Sequence, residues 1–185
     1  MNKYLDLLKL KTNGYLLIDN FWPDNLCFQL RETAWSDEIG GVHENSSSII
    51  RDFDRPHCFT IRDITDNHVV PKVSFLKKDS YIRCWSSTYN YKAEGEEFHT
   101  NPDSVYTCIV WVTPTECVQN YSKNNLLLCQ KKSRRRKEGH YIIPYRYNRA
   151  VIFKSDTVHK MDEIDMISGP KSRNKLISYT FLYNG

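Results

Sequence analysis

The chain has 185 residues, 40% hydrophobic and 26% charged, a balance that fits one soluble globular domain over 1–185 with enough chain for a sizeable core. No apolar run is long enough to span a membrane, and the charged opening MNKYLDLLKLKTNGY carries no signal-peptide pattern. The net charge of +4 comes from one run, Lys131, Lys132, Arg134, Arg135, Arg136 and Lys137; without it the balance turns slightly acidic, which excludes a generally basic surface.

In chain order, leucines 5, 8 and 7, 10 predict a short amphipathic helix over 2–11, stopped by Thr12-Asn13-Gly14. Residues 15–18 read as a strand. Pro23-Asp24 then starts a helix that runs to about Trp35, with Leu26, Leu30 and Ala34 on one face. Together 1–36 form a supporting N-terminal segment. Residues 39–48, with Gly40-Gly41 and three serines, read as a mobile loop. Strands are expected over 53–63 and 69–75 around the turn Thr65-Asp66-Asn67; His57 and His68 there lack partner spacing and read as surface or packing residues. Residues 80–91, SYIRCWSSTYNY, predict a long strand carrying Tyr89 and Tyr91, with Trp85 as core or pocket wall.

Further apolar strands are expected at 105–112, 125–129, 140–143, 150–153 and 176–183. Trp111, on the first of these, is again core or wall. The basic run lies in the long connection after 125–129. It is a solvated loop, or a contact for an anion or a partner. No nucleic-acid-binding motif accompanies it. The six cysteines (27, 58, 84, 108, 117 and 129) show no CxxC pair and sit largely in apolar stretches, so reduced, packed thiols in a cytoplasmic protein are expected. Helices followed by about eight short strands predict a mainly β fold, a barrel or sandwich with helices outside.

Two stretches carry the chemistry. In FHTNPDSVYTCIVWVTP (98–114), His99 sits just before a turn into an apolar strand; NRAVIFKSDTVH (148–159) is a strand ending on His159. Two strand-end histidines can meet at one mouth of a β fold. A pair of imidazoles with a carboxylate and open positions is the ligand set of a non-heme iron(II) oxygenase.

With the closing strand LISYTFLY (176–183), these pieces resemble the iron(II)/2-oxoglutarate-dependent dioxygenases, nearest to small prolyl-hydroxylase-like members. The likeness covers about 80–183 and, more loosely, the opening from Gly14. It implies a double-stranded β-helix, the jelly-roll or cupin-like barrel, with the metal at one open end. It also implies Fe(II) and 2-oxoglutarate as cofactors, His99 and His159 as ligands, and Tyr89 and Tyr91 lining the pocket, where Tyr91 could contact the cosubstrate. In the family an acid lies two residues after the first histidine; here that position is Asn101. Asp103, two further on in the turn Asn101-Pro102-Asp103-Ser104, is a second candidate ligand or a plain turn residue. Glu97 lies on the wrong side of the family pattern. An Arg or Lys two residues before a Ser or Thr normally holds the cosubstrate's far carboxylate. Aligning on Ser178 puts Leu176 there, with Lys175 and Arg173 just upstream as substitutes. A one-residue offset turns Lys175 to the other face of a regular strand.

Two readings follow. One is a hydroxylase acting on a small molecule or a protein side chain, with His99, His159 and Asn101 or Asp103 on the metal and Lys175 or Arg173, Tyr91 and Ser178 on the cosubstrate. The other is a catalytically degenerate barrel kept as a binding or structural module, for example in a viral assembly, with the basic loop as a contact element.

Overall fold

The computed structural model describes residues 3–34, 42–44, 48–52, 59–89, 92–129, 139–167 and 176–185. The basic run, His57, Cys58, Tyr91, Arg173 and Lys175 lie outside the described residues. Helix α1 (Lys3–Asn13) ends at Gly14, whose φ of +82° turns the chain out while its N–H donates to the Leu10 carbonyl at 2.9 Å. β1 (Tyr15–Ile18) and α2 (Asp24–Thr33) follow as expected, and α2 buries Leu26, Cys27 and Leu30.

Two expectations fail here. The stretch read as a loop contains β2 (Val42–Glu44), which pairs with β3 (Ser48–Asp52). Its Gly/Ser composition gives no strand signal; the edge of β4 supplies the order by pairing with β3. Residues 59–72 are helical, not extended: α3 (Phe59–Ile64) runs into a π turn (Thr65–Val69) and a 3-10 turn (Val70–Lys72). Ile61, Ile64, Val69 and Val73 are all buried. Their spacing is helical, with one extra residue absorbed by the π turn.

The remaining strands are β4 (Tyr81–Tyr89), β5 (Lys92–Ala93), β6 (Tyr106–Trp111), β7 (Leu126–Cys129), β8 (His140–Ile143), β9 (Ala150–Lys154), β10 (His159–Met161), β11 (Ile164–Asp165) and β12 (Leu176–Tyr183). A seven-stranded sheet has the order β1-β9-β6-β12-β4-β3-β2; a three-stranded sheet, β10-β7-β8, is the second layer, and β11-β5 forms a small ribbon. All pairings are antiparallel.

Alternation along the strands sorts the side chains into two cores. On β12, Ile177, Tyr179, Phe181 and Tyr183 pack with Leu26, Leu30 and Ile64 from the helices and with Trp22 from the turn before α2. Its other face carries Leu176, Ser178 and Thr180. Leu176 joins Ile109, Trp111, Val151 and Phe153 of the large sheet against Leu126, Leu128, Ile143 and Met161 of the small one. Each fully buried large apolar side chain contributes roughly 1.5–3 kcal/mol, so this inter-layer core holds the second layer in place. Asn148, at φ 55°, locks the turn before β9: it accepts from the Trp22 N–H at 2.8 Å and donates to the Trp22 carbonyl at 2.6 Å. No helix among the described residues is long and apolar enough to cross a membrane.

Candidate functional site

β9 stops at Lys154 because the chain turns at Ser155, with the Thr157 N–H donating to the Lys154 carbonyl at 2.9 Å. His159 therefore opens β10, in the second layer, rather than closing β9. His99 lies directly opposite: the two residues form an antiparallel bridge, exchanging N–H···O bonds of 3.0 and 2.9 Å. Their rings are 4.4 Å apart, centre to centre. The histidines, 60 positions apart in the chain, are brought side by side at one end of the space between the layers.

The main chain also sets their tautomers. Nδ1 of His99 is 2.9 Å from the Glu97 carbonyl, and Nδ1 of His159 is 2.9 Å from the Thr157 carbonyl. A carbonyl oxygen only accepts, so each Nδ1 carries a proton, and in the neutral ring it is Nε2 that keeps the lone pair. That is the form in which imidazole binds a metal, oriented by a hydrogen bond on the far nitrogen. Burial, reinforced by the neighbouring His99, drives the pKa of His159 from its usual 6.5 down to about 4 against the opposing Thr157 hydrogen bond. His159 is therefore neutral at physiological pH.

The third position differs. Asn101 Nδ2 donates to Thr107 Oγ1 at 3.1 Å and lies 3.5 Å from His159 Nε2. Its backbone is fixed by the Asn101 N–H on the Ser155 carbonyl, and Ser104, Ser155 and Thr107 form a hydroxyl chain behind it, with contacts of 2.7 and 2.8 Å. Asn101 is thus next to the histidines, as a neutral amide whose oxygen faces the metal position only after the amide flips. Asp103 is exposed on the turn, and no cluster of three His, Cys, Asp or Glu side chains suited to a metal forms among the described residues. Of the two roles open to Asp103, ligand or plain turn residue, its exposed side chain favours the turn residue. A divalent cation fits the two histidines, but the set lacks the anionic donor that a hard cation such as Fe(II) favours.

Below the histidines the space is lined by Trp85, Ser87, Tyr89, Glu96, Leu126 and Ser178 among others, and amounts to about 20 Å³. That is room for about one water, against several hundred Å³ for an ordinary ligand pocket. Leu176 pairs with Tyr89 and is fully buried on the inward face of β12, two residues before Ser178. An apolar side chain thus occupies the position aligned above with the family's cation, and none of the described lining side chains is cationic. The Ser178 hydroxyl reaches the Tyr89 hydroxyl. Among the described residues of this pocket, 2-oxoglutarate, a dianion, meets neither the volume nor the positive charge it needs.

Glu96 is the residue that sequence reasoning passed over. Its carboxylate lies in the pocket, accepting from the Tyr89 hydroxyl at 2.5 Å. The only pointer in the sequence is Gly95. At φ +88°, with the Met161 carbonyl 2.6 Å from where a Cβ would sit, Gly95 lets the chain press against β10. Trp111 is wholly buried in the inter-layer core, and Trp85 lines the pocket.

No family model and no curated protein matches this sequence. Solved structures do match its fold. An oxidoreductase of the 2OG-Fe(II) oxygenase family from Burkholderia pseudomallei superposes with a TM-score of 0.67 at 10% identity, covering 100% of this chain and 90% of that one. A Pseudomonas putida prolyl-4-hydroxylase gives 0.63 at 13% identity, covering 98% of each chain. HygX from Streptomyces hygroscopicus, solved with nickel and 2-oxoglutarate bound, gives 0.70 at 8% identity, covering 100% of this chain and 87% of that one. Among the described residues the sheets do not close into a continuous ring, but the two facing layers, with the histidine pair at one end, are the double-stranded β-helix fold of the 2OG-Fe(II) oxygenases.

Proposed function

We propose that this chain is a binding module on a dioxygenase fold: it keeps a two-histidine mouth able to take a divalent metal and does not use 2-oxoglutarate. The observation that carries this reading is Leu176, buried at the inward position that should bear a cation. Moving a dicarboxylate from water into a tight pocket without a charged partner is strongly unfavourable. Asn101 weakens the metal end in the same direction by removing a negative charge from the ligand set. Fe(II) with 2-oxoglutarate supplies oxidative chemistry in this fold; here His99 and His159 would hold a metal, and nothing in the described pocket would hold the oxo-acid.

The competing reading, a working hydroxylase, is favoured by one feature: both histidines are held as the tautomer that a metal needs. An anaerobic titration separates the two. Fe(II) and 2-oxoglutarate are added to the purified protein, and the visible charge-transfer absorption of the chelated pair is sought, with His159→Ala as control. No band is expected in either protein. A band in the parent that is lost in His159→Ala would establish the hydroxylase reading.

A further inference from the structure

The pocket beneath the histidines holds an acid of its own. Glu96 Oε1 accepts from the Tyr89 hydroxyl at 2.5 Å, and Oε2 faces the Met161 N–H at 3.4 Å. Tyr89 is 2% exposed. Burial, and then the Glu96 charge, hold its hydroxyl well above the usual phenol range, so it stays a donor. Ser87 and Ser178, cross-strand partners on β4 and β12, bring their hydroxyls to the Tyr89 oxygen. A phenol polarised by two serines, together with a backbone N–H, makes a small carboxylate site without any cation.

Such a site is weak for a free anion, which gives up translational and rotational freedom on binding. A carboxylate on the same chain has already given up most of it. Gly95 completes the arrangement, because only a residue without Cβ lets this segment approach the Met161 and Asp162 carbonyls. We propose that Glu96 is the pocket's resident anion: a tethered carboxylate filling a site made by the Tyr89 hydroxyl and the Met161 amide, which accepts a free monocarboxylate of formate or acetate size once the Glu96 side chain is cut back. This rests on the reading that 2-oxoglutarate is not the occupant.

The test is thermal unfolding of metal-free protein in sodium formate, sodium acetate and sodium chloride at equal ionic strength. Glu96→Ala melts lower than the parent in chloride. Formate or acetate at tenfold its Kd restores about 3 °C beyond any effect on the parent. The restoration disappears in Glu96→Ala combined with Tyr89→Phe. Equal melting of Glu96→Ala in all three salts overturns the proposal. Should Glu96→Ala not fold, Glu96→Gln, which keeps the shape, carries the test against Tyr89→Phe. The double variant then loses less than the two single losses together, and strict additivity overturns the proposal. Neither iron nor 2-oxoglutarate is present, so failure here is distinct from failure of the cosubstrate reading.

Discussion

The two ends of the inter-layer pocket are built by different means. At the mouth, His99 and His159 face each other through a backbone bridge, and each ring is oriented by a carbonyl two residues before it. At the inner end, side chains make most of the lining, among them Tyr89, Ser178 and Glu96, with Leu176 paired to Tyr89. Geometry imposed by the main chain survives while neighbouring side chains change. An anion site that depends on one buried cation does not, because replacing that cation with an apolar residue removes a desolvation cost and adds packing. On the proposed reading, the mouth keeps the features of a metal site while the inner end is packed as core.

If the inner end is now core, cutting it back should cost as much as any core truncation. Leu176→Ala leaves a cavity opposite Tyr89 and is expected to destabilise the protein by about 3 kcal/mol, read from the urea midpoint. A loss below about 1 kcal/mol would mean that the inner end is loosely packed and still able to admit a ligand.

The mouth carries the next largest effect, through pH. In the metal-free protein His159 has a folded pKa of about 4 against an ordinary 6.5. As pH falls the unfolded chain takes up this proton first, so stability is complete above about 6.5 and drains away down to about 4, by roughly 3 kcal/mol at most. Asp19, held low chiefly by its hydrogen bond from Arg149, is lost only below the ordinary carboxylate range, so the two losses separate. Urea midpoints across this window should slope in the parent and flatten in His159→Gln. An equal slope in both would place the proton elsewhere.

Gly95→Ala tests the join between the two ends. A Cβ there would lie 2.6 Å from the Met161 carbonyl and 2.7 Å from that of Asp162, at a φ of +88°. We expect a loss of about 2 kcal/mol, with the segment carrying Glu96 pushed off β10. Unchanged stability would show that the 92–99 segment yields freely.

The sequence made the mouth legible and the inner end only half so. The apolar strands and the two histidines follow from alternation and from the pattern around them, and Leu176 was recognisable as a departure from its spacing to Ser178. Glu96 was not, because nothing local distinguishes it from Glu94 or Glu97 in a charged turn. Its inward position depends on a β10 partner some 65 residues away, through the Met161 N–H. The helical course of 59–72 was missed for a related reason: a π turn breaks the 3.6 period that would have announced it. β2 was missed because its order comes from a neighbouring strand.

Asn101→Asp sharpens the comparison from the metal side. The backbone at this position is already held by the Ser155 carbonyl, and the side chain already reaches His159 Nε2. An aspartate of nearly the same shape would place an anionic oxygen beside the two lone pairs with little rearrangement. Thr107, which now accepts from the Asn101 amide, would rotate its hydroxyl to donate to the carboxylate. Without metal, the carboxylate sits near a neutral, buried histidine and gains nothing, so stability should change little. With Co(II) or Ni(II), affinity should rise at least about tenfold, or 1.4 kcal/mol, over the parent. Competitive titration reads the gain, and His159→Ala should erase it. A gain in metal binding with no accompanying binding of 2-oxoglutarate is the outcome that the two-ended pocket requires, because the added charge repairs the mouth and leaves Leu176 and Glu96 where they are. A gain in both would mean that the inner end opens once the metal is in place, and that the difference between the two ends belongs to the metal-free state alone.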